Sequence, residues 1–258
     1  MTSRRGFALA AALLAIMLIA ALVAGVFLAA AEETARFLLR ELRCDDGRWL
    51  RSWQGGRARH LAYAADHAAL VDAFIRLAEA GGGAEWLSEA RSAADAMLDL
   101  FWDGERGGLF TTGRDAERLI TRAKDVLDNA TPSANGSAAA ALVRLAALTG
   151  EDRYRERAET IVRLVARPLA QHPTAFAHLL QAVDFLESSR EIVVTGDRPD
   201  LVRAVQERYL PTTVLAWGER YDSPLWEGRD DDRAYVCERF ACRVPATTVD
   251  ELVAQLDA

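Results

Sequence analysis

Asp66 and Asp128 are the carboxylates of this sequence best suited to act as a pair. Cleavage of a glycosidic bond needs two facing carboxyl groups, one of them protonated. Epimerisation needs paired acid and base groups, often histidines. Asp66 stands on a helix, one residue before His67 in its apolar stripe, and Asp128 stands on an irregular stretch with Asp125 and Glu105. The structural alternative is that Asp66 bonds neighbouring loop backbone and Asp128 caps a turn. Lys124 either binds an anionic group or pairs with Asp125 or Asp128. Asn129, Ser133 and Asn135 cluster at the start of a helix, where unpaired backbone N–H groups favour anions and hydroxyls, and where the same side chains serve as caps. Trp102, with Trp49 and Trp53, offers a ring face for stacking or for packing. The candidate set is therefore Asp66 and Asp128 as catalytic groups, with Trp102, Glu105, Lys124, Asp125, Asn129, Ser133 and Asn135 as ligand contacts.

His67 reads as a core histidine, and His60, His172 and His178 have no metal-ligand spacing. No metal and no cofactor are expected: the chain has no phosphate-binding loop, no dinucleotide glycine motif and no nucleophile elbow. The three cysteines, Cys44, Cys237 and Cys242, are too few for a disulfide scaffold and include no C-x-x-C. Cys237 and Cys242 can meet across a turn, and the plain reading is two reduced thiols.

The elements that must position these groups are mostly helical. The chain has 258 residues, enough for one large domain with an appendix, and 51% of them are hydrophobic. Alanine and leucine dominate, which favours helix. A net charge of −7 without a basic patch speaks against a nucleic-acid partner.

Phe7 to Ala31 contains no charged or polar side chain and is long enough to cross a bilayer. Arg4 and Arg5 precede it and Glu32 and Glu33 follow, the charge order of an anchor with its N-terminus in the cytoplasm. Ser3-Arg4-Arg5-Gly6-Phe7 also resembles a twin-arginine export signal. A rival reading comes from an internal repeat. Phe27-Leu28-x-x-Ala31-x-x-x-Ala35 matches Trp86-Leu87-x-x-Ala90-x-x-x-Ala94, so Phe7 to Ala24 takes the place of a buried inner helix in a cytoplasmic protein.

Apolar periodicity predicts helices over 32–43, 61–80, 85–102, 131–149, 152–166 and 173–188. A hairpin-like excursion is expected over 45–59 and an irregular one over 103–128, with a strand at 109–112. Thr131 is the expected N-cap of the fourth helix, Pro132 its first residue, and Pro168 the stop after the fifth. From 190 onward β-rich segments alternate with short helices. Short turns alternate with long excursions, the pattern of stacked helical hairpins with a cleft at one rim. The expected fold is mainly α, with an apolar N-terminal segment (1–31), a partial α/α toroid (32–189) and a small α/β appendix (190–258).

Four stretches carry a family resemblance. Trp102-Asp103-x-x-x-Gly107-Gly108-Leu109-Phe110-Thr111-Thr112 resembles W/Y-D-x-x-x-G-G-F/L-F-x-T. Arg122-Ala123-Lys124-Asp125-x-x-Asp128-Asn129-Ala130-Thr131-Pro132-Ser133-Ala134-Asn135 resembles R-P-K-E/D-x-x-D-x-A-x-P-S-x-N, with Ala123 in place of proline and Gly136 inserted before Ser137. Ala64-Ala65-Asp66-His67-Ala68 is similar to a D-D-Y-A segment, and Ala234-Tyr235-Val236-Cys237 with Cys242 and Pro245 is similar to A-Y-V-C…C-x-x-P. Together they resemble thioredoxin-domain-containing proteins of the spermatogenesis-associated protein 20 type. The resemblance implies an (α/α)6 toroid like that of N-acylglucosamine 2-epimerases and six-hairpin glycosidases, and a sugar-like ligand. It runs from Ala31 to the end and matches only the C-terminal part of the family's length, without its thioredoxin domain. An incomplete ring leaves apolar helix faces uncovered, so the alternative is a non-catalytic scaffold that binds a protein partner, the missing ring half or a second copy.

Overall fold

The computed structural model describes residues 25–117 and 120–257. The fold is mainly α. Helix α1 (25–41) leads into a hairpin of β1 (Leu50–Gln54) and β2 (Arg57–Leu61). Then follow α2 (Ala64–Gly81), α3 (Ala84–Phe101), α4 (Ala134–Thr149), α5 (Asp152–Gln171) and, after a 3-10 turn at Pro173–Phe176, α6 (Ala177–Ser188).

The expectation of a transmembrane helix is corrected. Among the described residues no helix is long and apolar enough to cross a membrane. The tail of the apolar run, 25–31, forms the first turns of α1, and the rest of α1 is charged. Arg36 bonds Glu32 at 3.2 Å and reaches Glu85 of α3 at 3.0 Å. Phe7 to Ala24, the stretch read either as a span or as an inner helix, lies outside the described residues. In the repeat the two aromatics differ in burial: Trp86 is 2% exposed and its counterpart Phe27 is 71% exposed.

Helices α2, α4 and α6 lie side by side, with α3 behind α2 and α5 behind α4. The middle helix α4 is buried along nearly its whole length. Its run of alanines gives a strong helix former with no side-chain bulk, so neighbours approach on every side. Phe74 stacks on Trp86 at 6.0 Å, and these two with Met97, Phe101, Leu142, Leu145, Tyr154 and Phe176 fill the core. Trp49 packs into the same core beside Phe74, while Trp53 lies edge-on to Phe37.

Three boundaries differ from expectation, each for a local reason. Ser133, not Thr131, caps α4, because the carboxylates of Asp128 and Asp125 take the N–H groups of Ser133 and Ala134. Helix α5 continues past Pro168 to Gln171. A proline in the last turn removes one helix bond, while its own carbonyl still accepts from His172 N at 2.9 Å. The strand at 109–112 shrinks to one bridge between Trp102 and Leu109, because Leu109 pairs instead with a side chain described below.

The C-terminal part holds a four-stranded sheet in the order β4 (Thr213–Ala216), β3 (Arg190–Val194), β5 (Ala234–Glu238), β6 (Ala241–Cys242). β3 and β4 are parallel, joined through α7 (Pro199–Gln206), and the other pairs are antiparallel. Ile192, Val194, Leu215 and Val236 face α7 and α8 (Val249–Leu256). Val193, Val214, Tyr235 and Cys237 face the helical layer. Cys237 and Cys242 are joined in a disulfide across β5 and β6, which corrects the reading of two reduced thiols.

A polar seam ties the sheet to the helices. Arg144 of α4 bonds the Glu79 carboxylate of α2 at 2.8 Å and the Thr213 carbonyl of β4 at 2.9 Å. Glu79 also accepts from Leu215 N at 3.1 Å, and its carbonyl accepts from Trp217 Nε1 at 2.7 Å. Glu219 N donates to the Gly82 carbonyl at 2.9 Å. Gly218 permits this approach: its φ is +76°, and a Cβ there would lie 2.5 Å from that same carbonyl oxygen.

Candidate functional site

The stretch between α3 and α4 is a web of backbone and side-chain bonds. Asp103 leaves α3 and turns the chain: its Oδ1 accepts from Glu105 N at 2.9 Å and Arg106 N at 3.2 Å. Lys124 Nζ lies 2.7 Å from Asp103 Oδ2 and also donates to the Gly107 carbonyl. That charged hydrogen bond, helped by the two backbone donors, pulls the Asp103 carboxyl down to about 2. Lys124 thus pairs with Asp103, a partner not considered from sequence.

Asn135, in the first turn of α4, is 1% exposed and has its amide fully engaged. Its Oδ1 accepts from Leu109 N at 2.7 Å, and its Nδ2 donates to Leu109 O at 3.0 Å and Asp125 O at 2.7 Å. The amide stands in for a strand partner, which is why 109–112 needs no sheet. Gly108 lets Leu109 come this close: its φ is +76°, and a Cβ would lie 3.0 Å from Asn135 Oδ1 and 2.8 Å from Leu164. Gly136 is likewise consistent with the helix start, since its N–H donates to Ser133 Oγ at 3.1 Å.

Asp128 joins two helix N-termini. Its Oδ1 accepts from Ser133 N at 2.8 Å, before α4, and its Oδ2 accepts from His178 N at 2.7 Å, in α6. Burial pushes this carboxyl up, but the His178 and Ser133 N–H groups outweigh it and hold it below the ordinary value. Asp125 Oδ2 accepts from Ala134 N at 2.9 Å. Asp66 occupies the third position of α2 and accepts from Tyr63 N at 2.8 Å, satisfying the backbone donor of the residue before the helix. Asn129 is exposed, and its backbone N–H closes a turn onto Thr131 O.

The candidate residues do not converge on one cavity. Asp66 lines a cleft of about 490 Å³ between α2, α4 and α6, together with Asp72, Arg76, His178, Gln181 and Phe185. Trp102, Glu105 and Lys124 line a separate depression with Arg122 and Leu164, on the α5 side of the excursion. Asp125, Asp128, Ser133 and Asn135 belong to neither lining and sit at the start of α4, engaged in the bonds above. Sequence reasoning missed Asp72, Arg76 and Gln181 in the cleft, because solvent-facing charges on amphipathic helices look alike in sequence. Arg144 at the cleft floor did carry a signal, as the one charge inside the apolar run from Ala138 to Leu148. Chemically the cleft offers carboxylates, two guanidiniums and an imidazole, a lining suited to hydrogen-bonding groups.

No protein-family model matches the chain. Spermatogenesis-associated protein 20 of Homo sapiens is 30% identical to it over 249 residues, covering 86% of this chain and 32% of that protein. The Rattus norvegicus protein of the same name is 29% identical over 205 residues, covering 72% of this chain and 26% of its own length. The Mus musculus protein of that name is 28% identical over the same span. The chain therefore spans about a third or less of the length of these relatives. The similarities support a relation to that family over most of the chain.

Proposed function

We propose that this chain is a helical scaffold segment of a spermatogenesis-associated protein 20-type protein, acting by binding a protein element rather than by catalysis. In this reading its hairpins are part of an (α/α)6 ring. The observation that carries it is the state of the motif residues. Asp128 has both oxygens on backbone N–H groups, the Asn135 amide is fully bonded, and Lys124 is neutralised by Asp103. Groups held this way build an excursion and are poorly placed to exchange protons with a substrate. Apolar side chains left open at the margins of the layer support the partner: Val26 and Phe27 on α1, Leu180 on α6 and Tyr209 after α7. The partner suited to them is a helical element with a matching apolar face. The test mixes this chain with a recombinant piece of the human relative preceding the matched region and weighs the product by light scattering. A 1:1 complex weakened at least tenfold by Phe27→Glu is expected. A chain that stays monomeric with that piece would overturn the reading.

The second reading keeps the cleft as the site of a sugar-like ligand. It is favoured by the roughly 490 Å³ volume and by a lining of Asp66, Asp72, Arg76, His178 and Gln181 beside the ring of Phe185. Asp66 would then be the acid/base group in the cleft, while Trp102, Glu105 and Lys124 line the separate depression and do not reach the same ligand. Thermal-shift measurements with sugars and sugar phosphates test it. No shift with any of them, or the same shift in Asp66→Ala, sinks it.

A further inference from the structure

Away from the excursion between α3 and α4, the α/β part gathers four groups with a common chemistry. Cys237 on β5 and Cys242 on β6 are disulfide-bonded; Cys237 is fully buried and Cys242 half-buried. Arg229, from the loop before β5, points its guanidinium at the pair, 2.8 Å from Cys242 Sγ and 3.7 Å from Cys237 Sγ. It is held there by a bond from its Nε to Leu225 O at 3.2 Å and by the Tyr235 ring beneath it at 4.7 Å. A neutral disulfide gains little from a cation, whereas a thiolate gains much.

The fourth group is Glu191. It is the residue of β3 directly opposite Cys237, and opposite residues stand on the same face of a sheet with Cβ atoms about 4.5–5.5 Å apart. This acidic side chain is 2% exposed, in a strand otherwise of Ile and Val. Its Oε2 accepts from Phe240 N at 3.2 Å, in the two-residue turn that joins the cysteine-bearing strands. That turn places both Arg239 and Phe240 in the left-handed region, at φ +51° and +65°, where side chains are disfavoured. Glu191 thus holds the turn of the cysteine hairpin and sits beside the deeper cysteine.

We propose that Cys237, Cys242, Arg229 and Glu191 form a thiol–disulfide exchange site whose co-substrate is a dithiol. A thiolate of the dithiol attacks Sγ of Cys242, the more exposed sulfur, forming a mixed disulfide. The Cys237–Cys242 bond breaks, and Cys237 Sγ leaves with the electron pair and takes a proton from the Glu191 carboxyl. The second thiol of the dithiol, as thiolate, attacks its own sulfur in the mixed disulfide. Cys242 then leaves as a thiolate beside Arg229. Two electrons pass from the dithiol to the cysteine pair; the dithiol's two protons go to solvent, Glu191 regains one from there, Cys242 stays a thiolate, and the dithiol leaves as a disulfide. The proton step is supported by burial, which pushes Glu191 up to about 7, against the Phe240 N–H that lowers it. The charged neighbours acting on Glu191 are Glu238 at the end of β5 and Arg155 of α5, of opposite sign.

The test uses the full chain without denaturant and dithiothreitol as the dithiol, with Cys44 as the internal comparison thiol. The pair is expected to be reduced at neutral pH with the circular dichroism unchanged. Reduced Cys242 is then expected to react with iodoacetamide at pH 7 at least tenfold faster than Cys44, and Arg229→Met to remove that advantage. Glu191→Gln keeps the shape and an acceptor for Phe240 N; it is expected to slow reduction several-fold while leaving the Cys242 alkylation rate alone. A disulfide that dithiothreitol reduces only with loss of structure overturns the proposal. So does a wild-type Cys242 no more reactive than Cys44, which can be read without any variant.

Discussion

Lowering the pH from 7 to 5 should leave the stability of this protein almost unchanged, through the cancellation of two opposite terms. His67 is fully buried, edge-on to Phe101 at 4.9 Å. Its Nδ1 lies 3.1 Å from the Tyr63 carbonyl and therefore carries the hydrogen, while Nε2 has no partner. Burial, with Arg48 nearby, drives it down to about 4, against the opposing Tyr63 carbonyl. The unfolded chain takes up this proton near pH 6.5 and the folded one only near 4, so stability falls as the pH drops through that window. At about 1.4 kcal/mol per pH unit the loss is about 2 kcal/mol between pH 7 and 5, rising to about 3 kcal/mol by pH 4. Glu191, raised to about 7, behaves the other way. The folded state holds its proton below about 7 and the unfolded state only below 4.5, so acidification adds about 2 kcal/mol over the same range. Urea unfolding at pH 7, 6 and 5 should give a nearly flat line for the wild type. His67→Leu should become more stable at pH 5 than at pH 7, and Glu191→Gln less stable, each by about 2 kcal/mol. A His67→Leu line parallel to the wild type would refute the reasoning, because it would mean that the buried imidazole titrates normally.

Three further outcomes follow from the bonds described. Asn135→Ala removes three side-chain hydrogen bonds and leaves Leu109 N and O without partners, so a loss of about 3 kcal/mol in chemical denaturation is expected. Arg144→Met leaves the Glu79 carboxylate with only Arg76 at 3.5 Å and the Leu215 N–H, and should lower stability by about 3 kcal/mol, with part of this restored by adding Glu79→Leu; a double variant as unstable as the single one would contradict the pairing. Gly218→Ala forces a Cβ against the Gly82 carbonyl at a positive φ, so its melting temperature should fall by several degrees, while Gly104→Ala, whose Cβ would meet nothing, should change it little.

Helices with one apolar stripe were legible in the sequence. His67, Phe74 and Leu77 of α2 and Leu87, Ala90, Ala94 and Met97 of α3 lie buried, at helical spacing. The close of the chain was legible for the same kind of reason, since Thr248 and Glu251 form a capping box at the start of α8. Legibility failed where a distant group decides the local structure. Nothing near Thr131 says that two aspartates move the cap to Ser133, and nothing near Leu109 says that Asn135 replaces a strand. The cleft residues failed for a different reason: Asp72 and Arg76 obey the pattern of an ordinary solvent-facing helix surface. Glu191 was the opposite case, a visible anomaly in an Ile-Val strand whose meaning depends on register. Only the pairing of β3 with β5 puts it opposite Cys237.

The seam at Glu79, Gly82, Trp217 and Gly218 has a consequence for how the chain comes apart. The step from helical layer to sheet at 189–190 looks like a place to cut. Yet the strongest polar links of α2 and α4 run to residues beyond it, so a protease nick there would release no free-standing piece. Each half would carry torn bonds: Glu79 and Arg144 on one side, the backbone of Thr213 and Leu215 on the other. The sheet therefore works as a clasp on the helices. The whole described structure should melt in one step, and a disturbance at the Cys237–Cys242 hairpin has a continuous path through β5, β3 and β4 to the cleft wall formed by α2.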